Sequence, residues 1–273
     1  MVLDKRPIGV FDSGLGGLTT VRELRRLLPG EDIVYFGDTG RVPYGSRSAE
    51  TIVKYARQDV AFLRTFDLKA IVIACGTVST TALDILAAEN PMPVLGVVAP
   101  AAQTAARATK NGKIGLIGTQ ATIRSGAYER LIHGENPDAR VLSQACPLFV
   151  PLVENGRFRQ GDIVIETVAA EYLAPLKEAG VDTLVLGCTH YPLLEGVIAA
   201  CMGPDVTLVN AGAEGARAAT EALRERDALS PRTSGGSCRY FVSDRQADFS
   251  HLASTFLGWD VTEAVGQVDI SQY

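Results

Sequence analysis

Short, wholly apolar segments rich in Val and Ile alternate with longer segments of mixed character along the whole chain. Their apolar residues follow one another without a polar alternation, which is typical of strands covered on both faces of a sheet. The predicted strands lie at 7–11, 32–36, 70–74, 93–97, 113–117, 139–143, 183–187, 206–210 and 238–242.

Helix-length segments separate most of these strands. They lie at 17–28, 48–66, 78–90, 161–179 and 211–227. Strands that alternate with helices indicate βαβ units and a mostly parallel sheet. The pattern therefore predicts an α/β fold.

Four segments of the first half have a counterpart in the second half, in the same order and at a nearly constant offset. The pairs are IGVFDS and IGLIGT (8–13, 114–119), RVPYG and FVPLVENG (41–45, 149–156), AIVIACGT and TLVLGCTH (70–77, 183–190), and PVLGVVAPAA and VTLVNAGAEG (93–102, 206–215). All strand–turn–helix segments share some composition, but the constant order favours two similar α/β halves with a site between them.

Composition limits the classes of function. The chain has 273 residues, 26 Lys and Arg against 31 Asp and Glu, and a net charge of −5 without a basic run, which argues against nucleic acid as a partner. No apolar stretch reaches the roughly 18–20 residues of a membrane span, and we expect no signal peptide. The five scattered cysteines lack a CxxC pair, which favours a reducing cytoplasm.

Two cysteines end matched strands of the two halves. Cys75 follows the apolar run at 70–74, and Cys188 follows the run at 183–187. The carboxyl ends of parallel strands are where α/β folds place their ligands. We expect helix N-termini behind both thiols, which would hold carboxylates and lower the thiol pKa. A lone cysteine at a strand end is usually a packing residue, but two at matched positions favour a functional pair.

Two facing thiols suit either a dithiol redox couple or a racemase. Racemisation needs one thiolate and one thiol on opposite faces of a stereocentre. Asp12 could orient Cys75 or a substrate ammonium, or could simply cap the helix that opens near Gly17. His190 could assist Cys188 or make a structural hydrogen bond. The remaining cysteines are interpreted as packing residues: Cys146, Cys201 and Cys238.

Ordered motifs over nearly the whole chain resemble the glutamate racemase family, within the cofactor-independent aspartate/glutamate racemases. They are FDSGLGGLTT (11–20), YFGDTGRVPYGSRS (35–48), IACGTVS (73–79), IGLIGTQATIRSGAY (114–128), GCTHYPLL (187–194) and FVSDRQADFSHLASTFLG (241–258). The resemblance implies interconversion of L- and D-glutamate without a cofactor or metal, supplying D-glutamate for peptidoglycan. It also implies a cytoplasmic homodimer with one domain formed by 1–97 plus 210–273 and another by 98–209.

The resemblance also implies site residues. Cys75 and Cys188 correspond to the two acid/base residues, and Asp12 and His190 support them. The implied substrate contacts are Asp12, Ser13, Tyr44, Gly45, Gly76, Thr77, Thr189 and His190. Residues expected near the site are Glu154, Thr119 and Thr122.

One position departs from the family pattern. The family's first cysteine is usually followed by Asn, whereas Gly76 follows Cys75 here. Glycine offers only its backbone N–H to a substrate carboxylate. We therefore expect weaker or differently arranged substrate binding, with the activity retained.

Other proposed functions account for fewer of the residues singled out above. A pyridoxal enzyme needs a suitably placed Schiff-base lysine, and none of the six lysines is well placed. A dinucleotide site would use Gly14, Gly16 and Asp38, but the third glycine of that fingerprint is replaced by Thr19. A zinc site of Cys75, Cys188 and His190 lacks the usual ligand spacing. A two-lobed binding protein and an aspartate or hydantoin racemase stay open as alternatives.

Overall fold

The computed structural model describes residues 4–261 and 265–273, and it contains two parallel sheets. The strands of the first sheet are β1 (Ile8–Asp12), β2 (Ile33–Gly37), β3 (Ala70–Ile73), β4 (Val94–Gly96), β9 (Cys238–Val242) and β10 (Val265–Gln267). The strands of the second sheet are β5 (Lys113–Gly118), β6 (Arg140–Ala145), β7 (Thr183–Leu186) and β8 (Thr207–Asn210). The predicted α/β class is confirmed.

Helices cover both sheets. In chain order they are α1 (Leu18–Leu27), α2 (Ala49–Leu63), α3 (Gly76–Thr81), α4 (Leu83–Glu89), α5 (Val98–Ala108), α6 (Gln120–Ser125), α7 (Ala127–Glu135), α8 (Phe149–Glu154), α9 (Ile163–Glu178), α10 (Glu195–Met202), α11 (Ala211–Glu225) and α12 (Gln246–Leu257). Short 3₁₀ turns lie at Tyr44–Ser46, Tyr191–Leu194 and Ile270–Gln272. Among the described residues, no helix has both the length and the apolar character that crossing a bilayer requires.

The two sheets repeat one topology. The first has the order β10-β9-β2-β1-β3-β4, and the second has the order β6-β5-β7-β8. The β2-β1-β3-β4 portion of the first sheet therefore has its counterpart, strand for strand, in the second. The C-terminal strands β9 and β10 extend only the first sheet, because β9 pairs with β2. The domain boundaries at 97 and 210 stay a prediction.

Side chains on both faces of each sheet are buried, which explains the unbroken apolar runs. In β1, Val10 packs with the core that includes α1 and α11, whereas Phe11 packs on the opposite face with α2. In β7, Leu184 and Val185 divide in the same way between two core clusters. The central strands are thus layers between helices, whereas the edge strand β6 is only partly buried.

All nine predicted strands are present, and the differences lie in short elements. The helix predicted at 78–90 starts earlier, at Gly76, and is interrupted at Ala82 between α3 and α4. The strand β10 has only three residues and pairs on one side with β9. A segment that short carries too little periodicity to be identified from its sequence.

Candidate active site

A cavity of about 370 Å³ lies between the carboxyl ends of the two sheets. Ser13 follows β1, Cys75 follows β3, and Cys188 follows β7 by two residues. The predicted residues that line the cavity are Ser13, Tyr44, Gly45, Cys75, Gly76, Thr77, Thr119, Thr122, Glu154, Cys188, Thr189 and His190. Both thiols therefore face one cavity, each from the matching strand of its own half.

Cys75 lies between the end of β3 and the start of α3 and is only 5% exposed. Its thiol donates a hydrogen bond to Ser13 Oγ at 3.4 Å. Burial raises the pKa of Cys75 to about 12, the nearby Asp12 carboxylate adds to this, and the Ser13 contact opposes it. The expected lowering of the thiol pKa is wrong for Cys75, because desolvation outweighs the start of the six-residue helix α3.

Asp12 lies behind the cavity rather than in its lining. Its carboxylate is buried and accepts a hydrogen bond from the Gly14 N–H at 3.1 Å. Burial raises the pKa of Asp12, while the His190 charge and neighbouring backbone amides oppose that rise. Helix α1 begins at Leu18 with Gly17 as its cap and no side-chain cap bond. Asp12 is therefore not the cap residue, but its carboxylate interacts with the Gly17 N–H at the start of the helix.

Cys188 has a different neighbour. Its Sγ lies 3.9 Å from Nδ1 of His190, whose Nε2 lies 2.9 Å from Glu154 Oε1. Burial would lower the pKa of His190, but the contacts with Cys188 and Glu154 raise it to about 10. The imidazole is therefore charged at neutral pH and offers Cys188 a counter-charge. The turn after Cys188 continues into the 3₁₀ turn Tyr191–Leu194, not directly into an α-helix as we expected.

The two halves touch closely beside the thiols. A Cβ atom at Gly76 would lie 2.7 Å from the Gly187 carbonyl oxygen, so this position leaves no room for a side chain without a shift. A Cβ atom at Gly16 would lie 2.1 Å from Thr189 Oγ1. Thr19 Oγ1 also donates to the Thr189 carbonyl at 3.0 Å. The turn that carries Cys188 is thus held between two glycine-containing turns of the first sheet.

Three threonine hydroxyls span the cavity from one half to the other. Thr77 Oγ1 lies 3.2 Å from Thr119 Oγ1, which lies 3.1 Å from Thr122 Oγ1. Thr119 also caps α6, because its side chain accepts a hydrogen bond from the Thr122 N–H. These hydroxyls give the cavity neutral donors that suit a carboxylate.

Tyr44 lines the cavity, but its hydroxyl is engaged by two buried carboxyl groups. Tyr44 is 1% exposed, and its hydroxyl contacts Asp38 and Asp59 behind the cavity. Asp38 is fully buried and also accepts from Arg41 and Ser243. Asp38 is therefore unavailable to the ribose that a dinucleotide site would place near it.

Sequence reasoning missed part of the cavity wall. Cys146, interpreted as a packing residue, follows β6 and lines the cavity, as do the neighbouring Pro147 and Val150. Burial raises the pKa of Cys146 well above its usual range. Its place at the cavity could have been predicted, since Cys146 also follows the carboxyl end of a predicted strand. Within residues 4–261 and 265–273, no group of three or more His, Cys, Asp or Glu residues is placed to hold a metal ion.

Comparisons with known proteins agree with this geometry. The family model of the Asp/Glu/hydantoin racemases matches residues 8–219. A glutamate racemase from Geobacter metallireducens is 48% identical over 253 residues, which cover 93% of each chain. The crystal structure of a glutamate racemase isoform from Bacillus anthracis has a TM-score of 0.92 at 40% identity, covering 97% of this chain and 98% of that one. A glutamate racemase from Francisella tularensis in complex with D-glutamate has a TM-score of 0.91 at 38% identity, covering 99% and 100%.

Proposed function

The chain belongs to the Asp/Glu/hydantoin racemase family, and we propose that it is a glutamate racemase whose two acid/base groups are Cys75 and Cys188. The observation that carries this assignment is that both thiols line one cavity from matched strand ends of two similar halves. The protein is an isomerase that acts on an amino acid. Glutamate is the substrate because the relatives that are 45–48% identical over most of the chain are glutamate racemases.

The reaction balances with two cysteines alone. The thiolate of one cysteine takes the Cα proton, an S–H bond forms, and the electron pair moves into the α-carboxylate. The thiol of the other cysteine then gives its proton to the opposite face of Cα. The product is the other enantiomer, and the two cysteines have exchanged protonation states. The reverse reaction uses the same pair in opposite roles.

His190 and Asp12 support the two thiols differently. His190 lies beside Cys188, with Nδ1 3.9 Å from that sulfur, and the contacts with Cys188 and Glu154 raise the pKa of the imidazole. Asp12 lies close to Cys75 but behind the cavity lining, so its negative charge would attract a substrate ammonium group without touching it. Bound ammonium would also offset the burial that keeps the Cys75 pKa high. Substrate binding therefore prepares Cys75 for proton transfer, and Glu154 holds His190 in place.

The substrate carboxylates need neutral donors near both thiols. We assign Ser13 and Thr77 to this role on the Cys75 side and Thr189 on the Cys188 side, since each lines the cavity. Tyr44 and Gly45 would contact the substrate through their main chain. Gly76 would contact the substrate only through its N–H. The close approach of the Gly187 carbonyl leaves no room for a side chain at this position.

The cellular role rests on the family resemblance. We propose that the D-glutamate enters peptidoglycan synthesis in the cytoplasm and that the enzyme acts as a homodimer. We also assign residues 1–97 with 210–273 to one domain and 98–209 to the other. Cell-wall labelling of a D-glutamate auxotroph complemented with this chain tests the role in peptidoglycan synthesis. Light scattering of the purified protein tests the homodimer.

The assignment is tested by following optical activity on pure enantiomers without added cofactor. We expect conversion of L-glutamate to D-glutamate and the reverse, with little turnover of L-aspartate. Cys75→Ala and Cys188→Ala should each abolish conversion. Cys201→Ala is the matched control, because Cys201 is a half-buried cysteine outside the cavity lining. Turnover of aspartate alone would retain the mechanism but replace the substrate.

A further inference from the structure

Two buried carboxylates share one tyrosine hydroxyl directly behind the cavity wall. Asp38 follows β2 and Asp59 lies in α2, and both are fully buried. The Tyr44 hydroxyl contacts Asp38 Oδ2 and lies 3.0 Å from Asp59 Oδ2. Arg41 bridges the same pair, with Nε 2.6 Å from Asp38 Oδ2 and Nη2 2.9 Å from Asp59 Oδ1.

The hydrogen bonds of this cluster require one proton more than the Tyr44 hydroxyl supplies. A phenol has a single proton to donate, yet the Tyr44 oxygen is within hydrogen-bond distance of two carboxyl groups. If both carboxyls were ionised, one of these contacts would bring two oxygen lone pairs together among buried side chains. The contacts are both hydrogen bonds only if one carboxyl carries a proton and donates it to the Tyr44 oxygen.

The surroundings decide which carboxyl carries the proton. Asp38 accepts from three donors: Arg41 Nε, the Tyr44 hydroxyl, and Ser243 Oγ at 2.7 Å. Apart from Tyr44, Asp59 has one hydrogen-bond donor among the described residues, the Arg41 Nη2 group. Several donors favour the charged form of a carboxyl. Burial and the facing Asp38 charge also hold the pKa of Asp59 well above its usual range.

We propose that a protonated Asp59 donates to Tyr44, that Tyr44 donates to ionised Asp38, and that this chain fixes the Tyr44–Ser46 turn in the cavity wall. Asp38, Arg41 and Asp59 are then positioning residues for the reaction, since they act through the turn and do not touch the substrate. The kinetic part of this proposal rests on the proposed racemase function. The location of the proton does not.

Close contacts hold the Tyr44–Ser46 turn, so that a change in the buried cluster would reach the substrate. The Arg41 guanidinium also donates to Gln58 at 2.6 Å and lies 4.2 Å from the centre of the Tyr55 ring. In the middle of the turn, a Cβ atom at Gly45 would lie 3.0 Å from Thr119 Cβ. A displaced turn would therefore disturb the threonine hydroxyls that span the cavity.

The decisive comparison is between two amide variants. In Asp59→Asn, the amide nitrogen can still donate to Tyr44 and the amide oxygen can still accept from Arg41, as the protonated carboxyl does. In Asp38→Asn, the only negative charge of the cluster is lost. We expect Asp38→Asn to raise KM for glutamate by about tenfold or more and to lower Tm. Asp59→Asn should change both quantities far less.

A second variant tests the link to the turn. Tyr44→Phe removes the shared hydroxyl and leaves two carboxyls facing each other, so we expect a raised KM with a smaller change in kcat. Tyr273→Phe, which removes a hydroxyl from a half-exposed tyrosine outside the cluster, is the control. Circular dichroism and Tm identify any variant that fails to fold.

Two results would overturn the proposal. If Asp59→Asn lowers Tm as much as Asp38→Asn does, the proton is not on Asp59. Tyr44→Phe with an unchanged KM would show that the cluster does not position the turn for substrate. Wild-type protein that does not racemise glutamate would instead contradict the proposed function, and the Tm comparison would still locate the proton.

Discussion

The Nε2 atom of His190 lies 2.9 Å from the Oε1 atom of Glu154. This contact leaves the Nδ1 atom on the side of Cys188, and it helps to raise the pKa of His190 to about 10. Cys75, the matching cysteine of the other half, has the negatively charged Asp12 nearby instead. The two thiols occupy equivalent positions in the topology but opposite electrostatic surroundings.

Glu154→Gln should shift the pH dependence of kcat/KM. His190 is protonated below its pKa of about 10, so we expect kcat/KM to fall as pH rises through that value. Removing the Glu154 charge lowers the pKa of His190, and the alkaline limb should move to lower pH by about one pH unit. Glu171→Gln, at an exposed position of α9, should leave the profile unchanged. Identical profiles for wild type and Glu154→Gln would contradict the assigned contact.

Asp12→Asn should make Cys75 more reactive towards alkylation while it slows turnover. Burial and the Asp12 charge both raise the pKa of Cys75, so removal of that charge increases the thiolate fraction at a given pH. One pKa unit corresponds to about tenfold in rate below the pKa. Mass spectrometry after iodoacetamide treatment at pH 8 measures this, with Cys201 in the same sample as the internal control. An unchanged or slower rate at Cys75 would contradict this account of its surroundings.

Gly76→Ala should impair catalysis without unfolding the protein. Its Cβ would meet the Gly187 carbonyl at 2.7 Å, and the required shift acts on the residue next to Cys188. We expect kcat/KM to fall by about tenfold or more. Gly134→Ala in α7 is the control, because a Cβ there meets nothing within 4 Å and alanine favours the helix.

Gly76→Asn extends this test to the substrate. An Asn side chain adds a donor for a carboxylate but meets the same carbonyl, so KM for glutamate should change. An unchanged KM in Gly76→Asn, or wild-type kcat/KM in Gly76→Ala, would show that position 76 does not shape the site.

Lys69→Met should destabilise the fold by about 3 kcal/mol. Lys69 Nζ lies 2.6 Å from Glu31 Oε2, and both side chains are buried. Lys69 also donates to the Ala228 carbonyl, and Glu31 accepts from the Ser230 N–H, so the pair anchors the segment that leads into β9. Removing the cation leaves the Glu31 carboxylate buried without a counter-charge.

Chemical denaturation measures the loss of folding free energy in Lys69→Met. Arg57→Ala, which breaks the exposed pair with Glu89, should have little effect and is the control. Equal stability of Lys69→Met and wild type would show that the buried pair does not anchor this segment.

Long periodic elements and the two cysteine turns could be predicted from the sequence, and contacts between distant segments could not. The unbroken apolar runs identified the strands because both sheet faces are covered, as the split between Val10 and Phe11 shows. The matched turns brought Cys75 and Cys188 to one cavity because equivalent strands occupy equivalent places in both sheets.

Three features depended on distances that a sequence does not contain. The desolvation of Cys75 reverses the pKa shift expected from a helix N-terminus. The close approach of Gly76 to Gly187 depends on how the two halves meet. The proton shared by Tyr44 and Asp59 depends on side chains from a turn and a helix 15 residues apart.

Solvent-deuterium incorporation tests the two-thiol mechanism most directly. Wild type is incubated in D₂O with L-glutamate and separately with D-glutamate, and deuterium at Cα is measured in both enantiomers at low conversion. Cys75→Ser and Cys188→Ser are measured in parallel. We predict deuterium in the newly formed enantiomer ahead of the remaining substrate, and no racemisation by either variant. Early deuterium equally distributed between substrate and product, or racemisation that survives the loss of either cysteine, would contradict the assignment of one thiol to each face.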